Sequence, residues 1–262
     1  MTTLRGTVAV AALAALLGLG MSGCSVAKTD AGATSDDKTA AADPGPSGDA
    51  QAALAAATKA LSSGNYTFVV ASPTLTAEGI VHLPSESAEL TIDTGSAKFE
   101  IVLAEPDRWV RLSTGLAAGA GPDTWFHVDS SEIKEGGDLA FYLTDPDVID
   151  VSALFDAVTE ARLDANTITG TIDGTRVNSP DGFLDDATIK AMGSAAASLP
   201  FTATVDTKGR LAELDIEAPA AGKVQAGKWV FTVSGYGEQE ARKKPAGQIR
   251  DLPPSGYAKL NG

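Results

Sequence analysis

From Asn65 to Val128 the chain sets apolar against polar residues with a period of two, and the pattern returns from Leu199 to Ser234. Successive side chains of a strand point to opposite faces, so such segments fold as half-buried strands with one wet face. That pattern is the habit of antiparallel sheets. In SAELTID, Ala88, Leu90 and Ile92 share one face, while Ser87, Glu89, Thr91 and Asp93 share the other. In AKFEIVLAE the apolar face is Phe99, Ile101 and Leu103. NYTFVVAS repeats it through Tyr66, Phe68 and Val70, RWVRL through Val110 and Leu112, and DTWFHVDS through Phe126 and Val128. PSES and EPD have turn composition.

Helical signals interrupt the alternation. GDAQAALAAATKALSSG has Ser47 or Asp49 as its cap, Leu54 and Leu61 on one face, and Gly64 as a stop. DPDVIDVSALFDAVTEAR puts Val151, Leu154, Phe155 and Val158 at helical spacing behind Asp147 or Asp150. A strand in NTITGTIDGTRV precedes a second helical piece in FLDDATIKAMGSAAAS. LPFTATVDTKGRLAELDIEA reads as a hairpin turning at TKG, and KWVFTVSGYG adds one more strand. The tail KKPAGQIRDLPPSG, interrupted by proline, is expected to be irregular. The expected order is helix, about six strands, helix, strand, helix and three strands. That is an α+β chain with one long antiparallel sheet and helices laid on it.

The N-terminus carries an address. MTTLR ends in one positive charge, and GTVAVAALAALLGLG is an apolar run of about 15 residues, the length of a signal-peptide core and short of the ~20 needed to span a bilayer. Ser22 and Gly23 then precede Cys24, the one cysteine of the chain. This arrangement resembles the bacterial lipobox, with Met21 where leucine is commonest. The resemblance implies cleavage after Gly23 and lipidation of Cys24 with a diacylglyceryl group, whose two chains suffice for stable anchoring. Residues 1–23 are therefore expected as a lipoprotein signal peptide. Residues 24–48, rich in Ala, Asp, Ser, Gly and Pro, are expected as a flexible tether. Residues 49–262 are expected as a single domain on the extracytoplasmic face of a bacterial cell membrane. With Cys24 committed, the fold has no disulfide to rely on.

Composition removes several function classes. Twenty Lys and Arg against 34 Asp and Glu give a formal charge of −14, the wrong sign for a nucleic-acid binder and unfavourable for a basic face on anionic lipid. His82 and His127 lie far apart without a zinc spacing, so neither metal nor cofactor is expected. The acidic runs DPDVID and LDDAT lack the spacing of a calcium loop. Motifs of metalloproteases, serine hydrolases and nucleotide binders are missing, and no base is evident beside the serines of PSES. Trp109, Trp125 and Trp229 suit strand packing better than a sugar platform. An enzyme is not expected.

Further segments carry a family resemblance: ALSSGNYTFVV, WVRLS, TWFHVD, DVSALFDAV, and FTATVDTKGRLAELDIEAP followed by WVFTVSGYGE. Together with the lipobox they resemble the actinobacterial envelope lipoproteins of the LppX and LprG type, of the LolA-like superfamily. The resemblance implies a curved antiparallel half-barrel whose concave face is closed by helices over an apolar cavity, and a role in binding or transporting a lipid or glycolipid. Such work calls for an enclosure. Withdrawing two chains of about 16 carbons exposes roughly 30 CH2 groups, on the order of 25 kcal/mol. The cavity candidates are Phe68, Val70, Leu90, Ile92, Phe99, Ile101, Leu103, Val110, Leu112, Phe126, Val128, Leu154 and Phe155. The same stripes would appear in a solid core. The alternative is thus a monomeric, non-catalytic interaction or sensory module with a filled interior and an envelope protein as partner.

Overall fold

The computed structural model describes residues 46–114, 120–134, 147, 150–178, 184, 186–221 and 224–260. The signal segment, Cys24 and nearly all of the expected tether lie outside the described residues. Helix α1, Gly48–Leu61, opens at Ser47, whose hydroxyl accepts the Ala50 N–H. It stops at Gly64, which takes φ +58° while its N–H donates to the Leu61 carbonyl. This left-handed position favours glycine.

Six strands follow in order: β1 Asn65–Ala71, β2 Thr76–His82, β3 Ser87–Asp93, β4 Lys98–Ala104, β5 Asp107–Leu112 and β6 Trp125–Val128. Helix α2 is Val151–Asp156, then come β7 Val158–Asp164 and β8 Thr167–Ile172. Helix α3 is Asp186–Met192, and β9 Leu199–Val205, β10 Leu211–Ala218 and β11 Gly227–Ser234 complete the second run. The chain ends in β12 Ile249–Asp251 and α4 Pro254–Leu260. All twelve strands form one open, curved sheet in the order β12-β6-β5-β4-β3-β2-β1-β11-β10-β9-β8-β7. Two meanders, β1–β6 and β7–β11, are thus joined where β1 pairs antiparallel with β11. One main apolar cluster occupies the concave side, and α1 lies there against β7, β8, β10 and α2.

Two segments differ from the sequence expectation. The helix expected to run through Val158 ends at Asp156, and TEARL becomes the middle of β7, paired with β8 from Val158↔Ile172 to Asp164↔Thr167. Pairing to a neighbouring strand outweighs the helix preference of Glu, Ala, Arg and Leu, which is worth only tenths of a kcal/mol per residue (about 0.5). The tail is regular as well. β12 pairs parallel with β6, from Ile249↔Trp125 to Asp251↔His127. A parallel pair needs a crossover, and residues 235–248 supply it. Asn65 clamps Gln239 through two hydrogen bonds of 3.2 and 2.9 Å, and Ser87 Oγ accepts the Arg242 N–H at 2.8 Å. Gln248 then offers its carbonyl to the Trp125 N–H. On the outer face of β4–β6 a small second cluster buries Val102, Trp109 and Trp125, with Ile249 against it.

Candidate functional site

The strand registers align the inner side chains of β1–β6 into three rows. The deepest is Tyr66, Val81, Ala88, Leu103, Arg108 and Val128. All six are buried, with Tyr66 at 0% and Arg108 at 4% exposure. The middle row is Phe68, Gly79, Leu90, Ile101, Val110 and Phe126. Here Leu90 is half-buried while Phe68, Ile101, Val110 and Phe126 are buried. The third row is Val70, Ala77, Ile92, Phe99 and Leu112, and its last three members are all half-buried. Burial therefore falls along the strands from one end of the sheet to the other. The product is an apolar trough, tight at one end and open at the other.

Small residues set the floor of the trough. Ala77, Gly79 and Ala88 occupy the inner face of β2 and β3. Gly79 faces Phe68, and a Cβ placed there would meet the phenyl ring at 2.6 Å. Glycine thus lets the ring lie flat over β2. Phe68 also approaches Phe231 of β11, with ring centroids 6.2 Å apart, which joins the trough to the core of the second meander.

All thirteen candidate residues fall in or against the one concave cluster. Phe68, Val70, Ile101, Leu103, Val110, Phe126, Val128, Leu154 and Phe155 are buried within it. Leu90, Ile92, Phe99 and Leu112 pack on it with part of their surface open. Leu154 and Phe155 belong to α2 and lie toward the second meander, where Phe155 is 6.3 Å from Phe201 of β9. The structure thus separates a wall on β3–β5 from residues that alternation alone grouped with it.

The two ends of the trough differ in chemistry. At the deep end Arg108 Nη2 lies 3.3 Å from Glu105 Oε1. Nearby, an open cleft of about 500 Å3 is lined by Pro106, Asp107, His127, Val128, Asp129, Ser130, Asp251 and Tyr257. His127 Nε2 is 2.8 Å from Asp107 Oδ1 and its Nδ1 is 3.7 Å from Asp251 Oδ1. Among the described residues no group of three or more His, Cys, Asp or Glu is arranged to hold a metal ion. At the open end the partly exposed apolar set is Leu75, Ile92, Phe99, Leu112, Ala120 and Val224.

Charged groups brace this frame. Glu100 receives Arg111 Nε and Nη2 at 2.6 and 2.7 Å on the outer face, and that hydrogen bonding holds its carboxyl below the usual range. The Arg111 guanidinium also lies 4.6 Å from the Trp125 ring centroid. Asp147, buried, accepts the N–H groups of Val151 and Ser152 at 2.8 Å each and so caps α2. Burial pushes its carboxyl up, against the opposing pull of those two bonds. Of the two capping residues open in the sequence, Asp147 supplies the side chain, while Asp150 takes the left-handed backbone position.

One histidine has a partner that the sequence did not disclose. His82 Nδ1 is 2.6 Å from Ser85 Oγ, so a base does stand beside the serines of PSES. Ser85 Oγ also lies 2.8 Å from Ser87 Oγ, which in turn receives the Arg242 amide. The chain of bonds ties a surface turn to the crossover and serves as a structural brace. Its three-residue spacing, H-x-x-S across a turn, was the available signal. Among the described residues no helix is long and apolar enough to cross a membrane.

No family model and no curated protein matches the chain. Among solved structures it is similar to LprF from Mycobacterium bovis, with 16% identity and a TM-score of 0.44, over 78% of this chain and 100% of that one. The fold expected from the sequence, an open curved antiparallel sheet with helices on its concave face, is the fold observed.

Proposed function

We propose that this chain is an anchored envelope lipoprotein that holds the acyl part of a lipid or glycolipid in the trough of β1–β6. The observation that carries the reading is the graded burial of the three rows. Ile92, Phe99 and Leu112, joined side by side across β3, β4 and β5, keep apolar surface open on a face that is otherwise core. A chain folding for stability alone gains by covering such a face, and a contiguous open apolar surface marks a binding surface. An acyl chain suits it: the wall is aliphatic and aromatic, without polar groups to orient a rigid polar ligand.

The remaining parts of the reading come from the sequence. Cys24 is the lipidated first residue of the mature protein, residues 1–23 are removed, and residues 24–48 link anchor to domain. Anchoring on the extracytoplasmic face keeps the trough beside its lipid supply, and the domain works as a monomer without chemistry of its own. The test is native mass spectrometry of the full mature chain purified from its own host envelope, followed by organic extraction. A near-stoichiometric lipid beyond the mass of the anchor is the expected result. A chain carrying only its anchor, also after incubation with host lipids, refutes the carrier and turns the search toward a protein partner.

A further inference from the structure

We infer that the open end of the trough docks on a lipid bilayer, so that the domain stands on the membrane by its β3–β4 turn with the opposite end facing away. The inference rests on the carrier reading and on the anchored Cys24 proposed above. It adds a contact surface, its partner and an orientation.

Three observations carry it. The first is the apolar surface itself. Strand directions place the turns at 72–75, 94–97, 113–124 and 219–226 at one end of the sheet. Leu75, Ile92, Phe99, Leu112, Ala120 and Val224 stand there, half-buried, on or beside four separate connections. A rim assembled from several loops is wider than any one exposed side chain, and its partner must be apolar and accommodating.

The second is the distribution of charge. The far end concentrates Glu86, Glu105, Asp107, Asp129, Glu132 and Asp251 in its turns and cleft. The strands and turns of the rim carry Asp93, Lys98 and Asp123. An anionic bilayer repels the first set strongly and the second weakly, so field and apolar contact favour the same pose.

The third is the length and attachment of the chain outside the described structure. It enters at Pro46, and the Ser47 N–H donates to the Ala161 carbonyl on β7, an edge strand. Residues 24–45 can span at most about 75 Å. A β-strand of this sheet measures about 23 Å. An anchor at Cys24 therefore holds the rim permanently within reach of the bilayer, and tethering makes a weak surface contact effective.

The experiment places single tryptophan reporters at the two ends of the mature, lipidated full chain. Ser96→Trp sits in the exposed β3–β4 turn at the rim, and Lys208→Trp in the exposed β9–β10 turn at the far end. Both are reconstituted in phosphatidylglycerol–phosphatidylcholine vesicles and titrated with acrylamide, with the signal of the unsubstituted chain subtracted. The expected result is a quenching constant at least twofold lower for Ser96→Trp than for Lys208→Trp. Equal constants, or the reverse order, overturn the docking. Both turns lie outside the trough, so a lipid held within it shields neither. The lipid content of the same samples is read by mass. Bound lipid without rim shielding removes the docking and leaves the carrier standing. Rim shielding without bound lipid does the opposite.

Discussion

The two meanders start from the same alternation and end in different states. In the second, Ile168, Leu214, Ile216 and Phe231 are 0% exposed. Helix α1 lies across β7, β8 and β10, and its alanines Ala50 and Ala57 allow close approach. Helix α2 adds Leu154, and Met192 and Ala196 fill in from the segment before β9. In the first meander, Leu90, Ile92, Phe99 and Leu112 face the same side of the same sheet and keep open surface. Alternation therefore decides which way a side chain points. What lies over it decides whether it becomes core or wall. A protein that must hold an apolar guest divides its sheet in this way, with one half sealed for stability and the other unfinished.

The contrast is sharpest under truncation. Phe231→Ala in the sealed half is expected to cost about 3–5 kcal/mol, since a fully buried ring leaves a cavity. Phe99→Ala in the open half is expected to cost about 1–2 kcal/mol, because part of the ring already meets water. Chemical denaturation of the delipidated chains measures both, and equal losses would erase the distinction. Phe99→Asp is expected to lower retained lipid by about tenfold or more, on the order of 1.4 kcal/mol. Its effect is read by extraction against an unfolding midpoint close to that of Phe99→Ala. A collapse in stability instead would place Phe99 in the core.

Two carboxylates give opposite responses to pH. Asp147, at the head of α2 on the sealed side, has its carboxyl raised by burial. The folded form then binds its proton more readily than the unfolded chain, so this group's contribution is full below the unfolded value and is lost as pH rises through the folded one. The stability of the wild type relative to Asp147→Asn is therefore expected to fall as pH rises from about 4. Glu100 on the outer face of the open half is lowered by its hydrogen bonds with Arg111. Its contribution is present above the unfolded value and is lost as pH falls through the folded one. Glu100→Gln should cost less than about 1 kcal/mol at neutral pH, because the pair is partly solvated, and nothing in strong acid. Slopes of the same sign for both residues would contradict the assignments.

Much of this architecture was legible in the sequence. The strands around Phe68, Leu90, Ile101, Val110 and Phe126 announce themselves by alternation, and Ser47 and Gly64 mark the ends of α1 by capping chemistry. Two elements were hidden. β7 carries TEARL, whose residues favour a helix until β8 is there to pair with them. β12 is three residues long, and its partner β6 lies some 120 positions away in sequence, so no local pattern records it. The site shows the same limit. Period two gives Leu90 and Leu103 the same standing, and only the registers across β3, β4 and β5 reveal that one end of the face is open. The pairing of His82 with Ser85 was missed for a different reason, because a turn brings together groups that a strand pattern places apart.

The central claim is that the guest lies against β3–β5 and that the second meander stays sealed. The most direct test loads the full chain with a lipid bearing a diazirine in mid-chain, irradiates it and maps the adducts by peptide mass spectrometry. The account predicts adducts on peptides containing Leu90, Ile92, Phe99 and Leu112, and unmodified peptides across β8–β10. Adducts centred on Ile168, Leu214 or Ile216, or an even spread over the surface, would contradict it.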